Sequence, residues 1–120
     1  MQLHEIILIL FCHFVGDFIM QTDKIAQQKG SSNLVLWLHV LTYMLPVMVG
    51  GFMLRGLDAN VMVWVCANGL LHFGQDYLTV RLNKKLKEKS NHWFFVGIGA
   101  DQFFHYWILL STYHYIFQAQ

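Results

Sequence analysis

Four stretches of the chain are apolar for about 20 residues apiece, long enough to cross a hydrocarbon layer as helices. Leu3 to Met20 comes first and carries His13 and Asp17 in its second half. Leu34 to Leu54 is second and contains no Asp, Glu, Lys or Arg. It has His39 near its start, and Pro46 is expected to kink it. Val61 to Val80 is third, with Asn68, His72, Gln75 and Asp76. Trp93 to Phe117 is fourth, with Asp101, Gln102 and His105 inside it and aromatic residues at both ends, where an interface would hold them. Three polar connections separate these runs: Gln21 to Asn33, interrupted by Lys29 and Gly30-Ser31-Ser32, the short Arg55 to Asn60, and the basic Arg81 to Asn91. The pattern predicts an all-α protein of one domain, a four-transmembrane-helix bundle with helices at about 3–20, 34–54, 61–80 and 93–117.

The polar residues inside the apolar runs are spaced as helices would need. His13 and Asp17, His72 and Asp76, and Asp101 and His105 are each four residues apart, so each pair shares one helix face. His13-Phe14-Val15-Gly16-Asp17-Phe18-Ile19 and His72-Phe73-Gly74-Gln75-Asp76-Tyr77-Leu78 repeat one form, and each precedes a helix with a further histidine. The echo suggests two parallel helix pairs related by an axis along the membrane normal.

Composition supports a membrane class, since 56% of the residues are hydrophobic and only 12% charged. A net charge of +1 excludes a nucleic-acid footprint, because the basic residues gather in one short segment and not over a face. Cys12 and Cys66 lie in apolar runs and read as buried thiols, not a disulfide framework. Met1 to Glu5 lacks the basic start of a cleavable signal peptide. Seven of the eight Lys and Arg residues fall in the first and third connections. The positive-inside rule puts those connections in the cytoplasm and both termini outside. Counting about 1.5 Å per residue, the seven ionisable residues then share a layer within roughly 20 Å of the cytoplasmic boundary.

Ionisable residues at such depth are costly, which makes a layer of them a functional-site hypothesis. Imidazole and carboxylate together suit zinc, manganese or iron, and paired ligands one turn apart are how helical bundles build such sites. His13, Asp17, His39, His72, Asp76, Asp101 and His105 suffice for one or two divalent transition-metal ions, with Gln21, Gln75 and Gln102 as supporting groups. Asp17, Asp76 and Asp101 are the candidates for a catalytic carboxylate acting on a metal-bound water. A proton or ion path and a purely structural hydrogen-bond network are the competing readings of the same layer. His4, His92 and His114 lie at span ends and read as interfacial.

In order along the chain, His13-Phe14-Val15-Gly16-Asp17-Phe18 through Gln21, His39, His72 through Asp76, and Asp101-Gln102 through His105 resemble an uncharacterised family of small polytopic membrane proteins of bacteria and their phages. The resemblance covers nearly the whole chain and implies a multi-pass protein of the bacterial inner membrane. More distantly, the sparse His and Asp helices are similar to families labelled membrane-bound metal-dependent hydrolases. The expectation is therefore a metalloprotein hydrolysing a lipid-linked or membrane-embedded substrate. A proton or metal-ion transporter is the alternative, as is a phage-type protein acting on a host membrane protein. Membrane lipid, a second copy of the chain and a host membrane protein are the candidate partners.

Overall fold

The computed structural model describes residues 1–118, and these form helices joined by short turns. Helix α1 spans Leu3–Phe14, and the chain continues without a break into one π-helical segment, Val15–Ile19. A short α2 (Asp23–Gln28) follows, then α3 (Asn33–Arg55), α4 (Ala59–Lys89) and α5 (Asn91–Phe117). Side-chain caps set the starts: Thr22 Oγ1 accepts from the Ile25 amide, Ser32 Oγ from Val35, and Asp58 Oδ1 from Asn60. Gly56, at φ +65°, ends α3 in a conformation open to glycine.

Two connections differ from expectation. Gln21 to Asn33 contains α2, whose Thr22 cap and Asp23 in the first turn are ordinary helix-start signals. Arg81 to Lys89 is the last part of α4 and not a loop. The segment is made of Arg, Leu, Lys and Glu with a single Asn83 and no Gly or Pro, so nothing in it stops a helix until Ser90 turns extended. The first span is likewise not uniform, being α-helical to Phe14 and π-helical after it. Helix α3 runs through Pro46 unbroken.

Helices α1, α3, α4 and α5 pack in a ring, each against the next and α5 back against α1. One half of the ring has an apolar core of Ile9, Tyr43, Val47, Val61, Trp64, Val65, Leu109 and Tyr113. Its few polar atoms are paired. Asn68 Nδ2 donates to Thr112 Oγ1 at 2.8 Å, Trp64 Nε1 donates to the same hydroxyl at 3.1 Å, and the Tyr113 hydroxyl donates to Glu5 Oε1 at 3.0 Å. Cys12 is buried and Cys66 exposed, so only the first of the two thiols is the buried one expected; both are free.

Many large apolar side chains are exposed on the outside of the bundle. Leu34 is 71% exposed, Met53 69%, Leu70 64% and Phe95 68%, and α1 adds Leu3, Ile7 and Phe11. Among the described residues only α3 is by itself long and apolar enough to cross a membrane. The physical reason is local: the π segment cuts α1 short, and α4 and α5 dilute their apolar residues with the polar ones they turn inward.

Candidate metal centre

All seven predicted ionisable residues meet in the other half of the ring. His13, Asp17, His39, His72, Asp76 and His105 are buried and Asp101 is partly so, while His4, His92 and His114 are exposed, as the sequence suggested. Helices α4 and α5 each deliver a pair by the i, i+4 rule, and α3 delivers His39 alone. Asp17 sits in the π segment, whose extra residue per hydrogen-bonded turn shifts the side chain relative to His13. Gly16 permits this because a Cβ there would lie 2.9 Å from the Tyr43 carbonyl oxygen, so the π segment and α3 touch backbone to backbone.

Four atoms form the centre: Asp17 Oδ1, His39 Nε2, His72 Nε2 and Asp76 Oδ2. From His39 Nε2 the distances are 3.0 Å to Asp17 Oδ1, 3.2 Å to His72 Nε2 and 3.3 Å to Asp76 Oδ2. From His72 Nε2 they are 3.5 Å to Asp17 Oδ1 and 3.7 Å to Asp76 Oδ2. A tetrahedral ion with ligand bonds of about 2.0–2.1 Å holds its ligands about 3.3 Å apart, which these separations straddle. Hydrogen bonding accounts for them poorly, because His39 Nε2 carries at most one proton yet has three polar atoms within 3.3 Å. Asp76 is also shared with a second group, since its Oδ1 lies 3.4 Å from His105 Nε2, and Asp76, Asp101 and His105 offer a further set of ligand atoms.

The surrounding polar groups fix these orientations. Gln102 Nε2 donates to Asp17 Oδ2 at 3.0 Å and to Asp101 Oδ2 at 3.3 Å. That turns its Oε1 toward His13 Nε2 at 3.0 Å, which must then carry a proton. His13 Nδ1 lies 3.5 Å from the Tyr43 hydroxyl, so both of its nitrogens face partners outside the four-atom group. Gln75 Nε2 donates to the Asp101 carbonyl at 2.7 Å and lies 2.6 Å from His105 Nδ1. Gln21 makes no such bond, and its Oε1 is buried without a hydrogen-bond partner, as are His39 Nδ1 and His72 Nδ1, while His105 Nε2 has only the 3.4 Å approach of Asp76 Oδ1. Orphaned atoms of this kind are what a protein-only hydrogen-bond network fails to satisfy.

Two participants were missed in the sequence. Lys29, read as part of a polar connection, reaches inward from the turn after α2 to place Nζ 2.8 Å from Asp76 Oδ2 and 3.5 Å from His39 Nε2. Tyr43, given no role in the sequence, stacks on His72 with ring centroids 3.9 Å apart. Within the four-atom group two carboxylates, Asp17 and Asp76, stand beside one ammonium, Lys29, which leaves one negative charge when the imidazoles are neutral.

A cavity of about 490 Å³ opens beside the centre. Asp17, Asp101 and Gln102 line it together with Lys29, Arg81, Lys84 and Lys87.

No curated protein and no solved structure matches the chain. The family model described as "Protein of unknown function (DUF3307)" matches residues 6–120, and the chain belongs to that uncharacterised family.

Proposed function

We propose that this chain is a membrane-embedded metalloprotein that hydrolyses a lipid-linked or membrane-embedded substrate. The carrying observation is the four-atom group from the π segment, α3 and α4, spaced as a tetrahedral ion would space it. Asp17, His39, His72 and Asp76 would hold a divalent transition metal such as zinc, manganese or iron, with Asp101 and His105 available to a second. When bound, such an ion supplies Lewis acidity and a water acidic enough to act as a nucleophile near neutral pH.

The remaining residues divide the other work. His13 and Gln102 orient Asp17, and Gln75 orients His105 and Asp101. Asp101 lines the cavity and lies 3.4 Å from His105 Nδ1, which makes it the carboxylate best placed to take a proton from a reacting water.

The membrane reading rests on the inverted surface, apolar outward on α1, α3, α4 and α5 with polar groups enclosed. The long axis of 45 Å equals a bilayer with its headgroups, about 40–45 Å. The basic end of α4 then faces the cytoplasm and the termini face outward. Cysteines placed at Ser31 and Ser90, in a background lacking Cys12 and Cys66, should resist impermeant thiol reagents in intact cells, while one at Asn60 should react. The reverse labelling pattern would overturn the orientation.

Transport makes a different demand on the same residues, namely a polar path through the opposite half. There the packed Trp64, Val65, Leu109 and Tyr113 stand across the ring, and Asn68 and Thr112 bond to each other and to Trp64. The deciding experiment measures metal by elemental analysis of the purified protein and assays reconstituted vesicles for ester or phosphoester cleavage and for proton and divalent-cation flux. We expect one or two metal equivalents, and cleavage that is lost in Asp101→Ala while the protein still folds and holds metal. Metal-free protein after zinc or manganese supplementation would end the metalloprotein reading, and flux without cleavage would replace hydrolysis by transport.

A further inference from the structure

We infer that the cavity beside the metal centre is the receiving site for the phosphoryl headgroup of a lipid. The inference rests on the proposed function in one respect only, that it names the headgroup such a centre would act on; binding itself requires no metal. Its starting point is the helical state of Arg81 to Lys89. In a loop five cations would form one diffuse charge, but on a helix they are sorted by face. Arg81, Lys84 and Lys87 recur every three residues and line the cavity, whereas Lys85 and Lys89 do not, although all four lysines are exposed. Lys29 also lines the cavity, with its ammonium paired to Asp76.

With Lys29 engaged by Asp76, three further cations, Arg81, Lys84 and Lys87, share the cavity with two carboxylates, Asp17 and Asp101. Glu88 is the only acidic residue in the last turns of α4, and it is exposed and outside the cavity. Arg81 spends one guanidinium nitrogen on the Tyr77 carbonyl at 2.7 Å, Lys87 Nζ lies over the Phe94 ring, and among the described residues no carboxylate pairs with Lys84 or Lys87. Cations that share a cavity with Asp17 and Asp101 suit a ligand that is anionic and also presents a reacting atom to the neighbouring centre. A phosphoryl group does both, since its oxygens take several charge-assisted hydrogen bonds at once.

The source of that group is indicated by the rest of the lining. Phe18, Val80, Phe94 and Ile98 give the cavity apolar sides, and Phe18 is also part of the exposed apolar exterior. An acyl chain leaving the cavity past Phe18 would therefore meet the same surroundings as the outer face of the bundle. A free phosphate ion would leave those walls unused.

The test titrates the full chain, in neutral detergent with and without chelator, with dioctanoyl phosphatidic acid, dioctanoyl phosphatidylcholine and inorganic phosphate by calorimetry. Phosphatidic acid should bind and phosphatidylcholine should not. Lys84→Ala/Lys87→Ala should weaken phosphatidic acid binding by about tenfold, at the scale expected for two lysines against an anionic lipid. Lys85→Ala/Lys89→Ala, which removes the same charge from another face, should change it by less than about twofold. Equal losses in the two double variants would reduce the site to general surface charge, and phosphate binding as tightly as phosphatidic acid would replace the lipid by a free ion. Either result overturns the inference, as would equal binding of the two lipids. Phosphatidic acid binding that survives in Asp76→Asn and in chelator supports the inference even if no metal is ever found, so its failure and that of the metal centre are read separately.

Discussion

The two His-Phe-x-x-Asp segments begin with the same residue spacing and end in different places. His72 and Asp76 lie in regular α-helix, and both send an atom into the four-atom centre. His13 and Asp17 straddle the change from α to π, and only Asp17 reaches it. His13 turns instead to Gln102 and Tyr43. One extra residue in a helical turn therefore converts a candidate ligand into a hydrogen-bonding support. Identical spacing in sequence does not fix identical roles when the helix type differs.

Metal retention breaks or sharpens this contrast most strongly. His72→Ala removes a ligand atom and should weaken zinc binding by about a thousandfold, so that the metal is lost during purification. His13→Ala removes an outer partner and should cost only about tenfold. Elemental analysis and a competition titration against a chromophoric chelator give both numbers. Equal losses would mean that His13 also ligates and that the π segment makes no functional distinction.

The two carboxylates differ in their support as well, which gives a somewhat smaller effect. Asp76 is paired with the Lys29 ammonium, and Asp17 with the neutral Gln102 amide. Lys29→Met leaves a buried carboxylate unpaired and should lower the stability of the metal-free protein by about 3 kcal/mol. Gln102→Leu removes neutral donors and should cost about 1 kcal/mol. Added zinc should restore more stability to Lys29→Met than to the parent, because the variant centre carries one more uncompensated negative charge. Thermal unfolding in detergent, with chelator or with zinc, reads all four states. A Lys29→Met protein as stable as the parent in chelator would show that Asp76 has no need of the lysine.

Much of this was legible from local pattern. The all-helical state and the meeting of the seven ionisable residues follow from periodicity and from the cost of burying charge, and Gln75 and Gln102, though not Gln21, hydrogen-bond to the group as expected. Two kinds of feature were not. The helical state of Arg81 to Lys89 was hidden because a polar run beside an apolar one looks like a loop whenever spans are read by hydropathy alone. Its propensities favoured a helix throughout. Lys29 and the π segment were hidden for a deeper reason, since both depend on contacts across the ring. Lys29 meets Asp76 over 47 positions, and the π segment is tied to the close approach of Gly16 and Tyr43. No window of sequence contains either partner together with its cause.

The smallest effect tests the comparison at its backbone origin, using the glycine that each segment contains. Gly16 lies in the π segment, where a Cβ would come within 3.0 Å of the Tyr43 backbone, whose position is fixed by α3. Gly74 lies in α4 on an exposed face, with nothing within 4 Å of where its Cβ would be. Alanine at position 16 must therefore push the π segment away from α3, while alanine at 74 adds a methyl group to open space and improves helix propensity. Gly16→Ala should lose about 2 kcal/mol as an overpacked contact and also loosen metal binding, because Asp17 moves with the segment. Gly74→Ala should be neutral or gain about 0.5 kcal/mol, with metal binding unchanged. Melting temperatures with and without zinc separate the two parts of the claim. A Gly16→Ala protein that melts lower yet binds zinc as the parent does would confine the close approach to packing. It would also remove the link between the π segment and the position of Asp17.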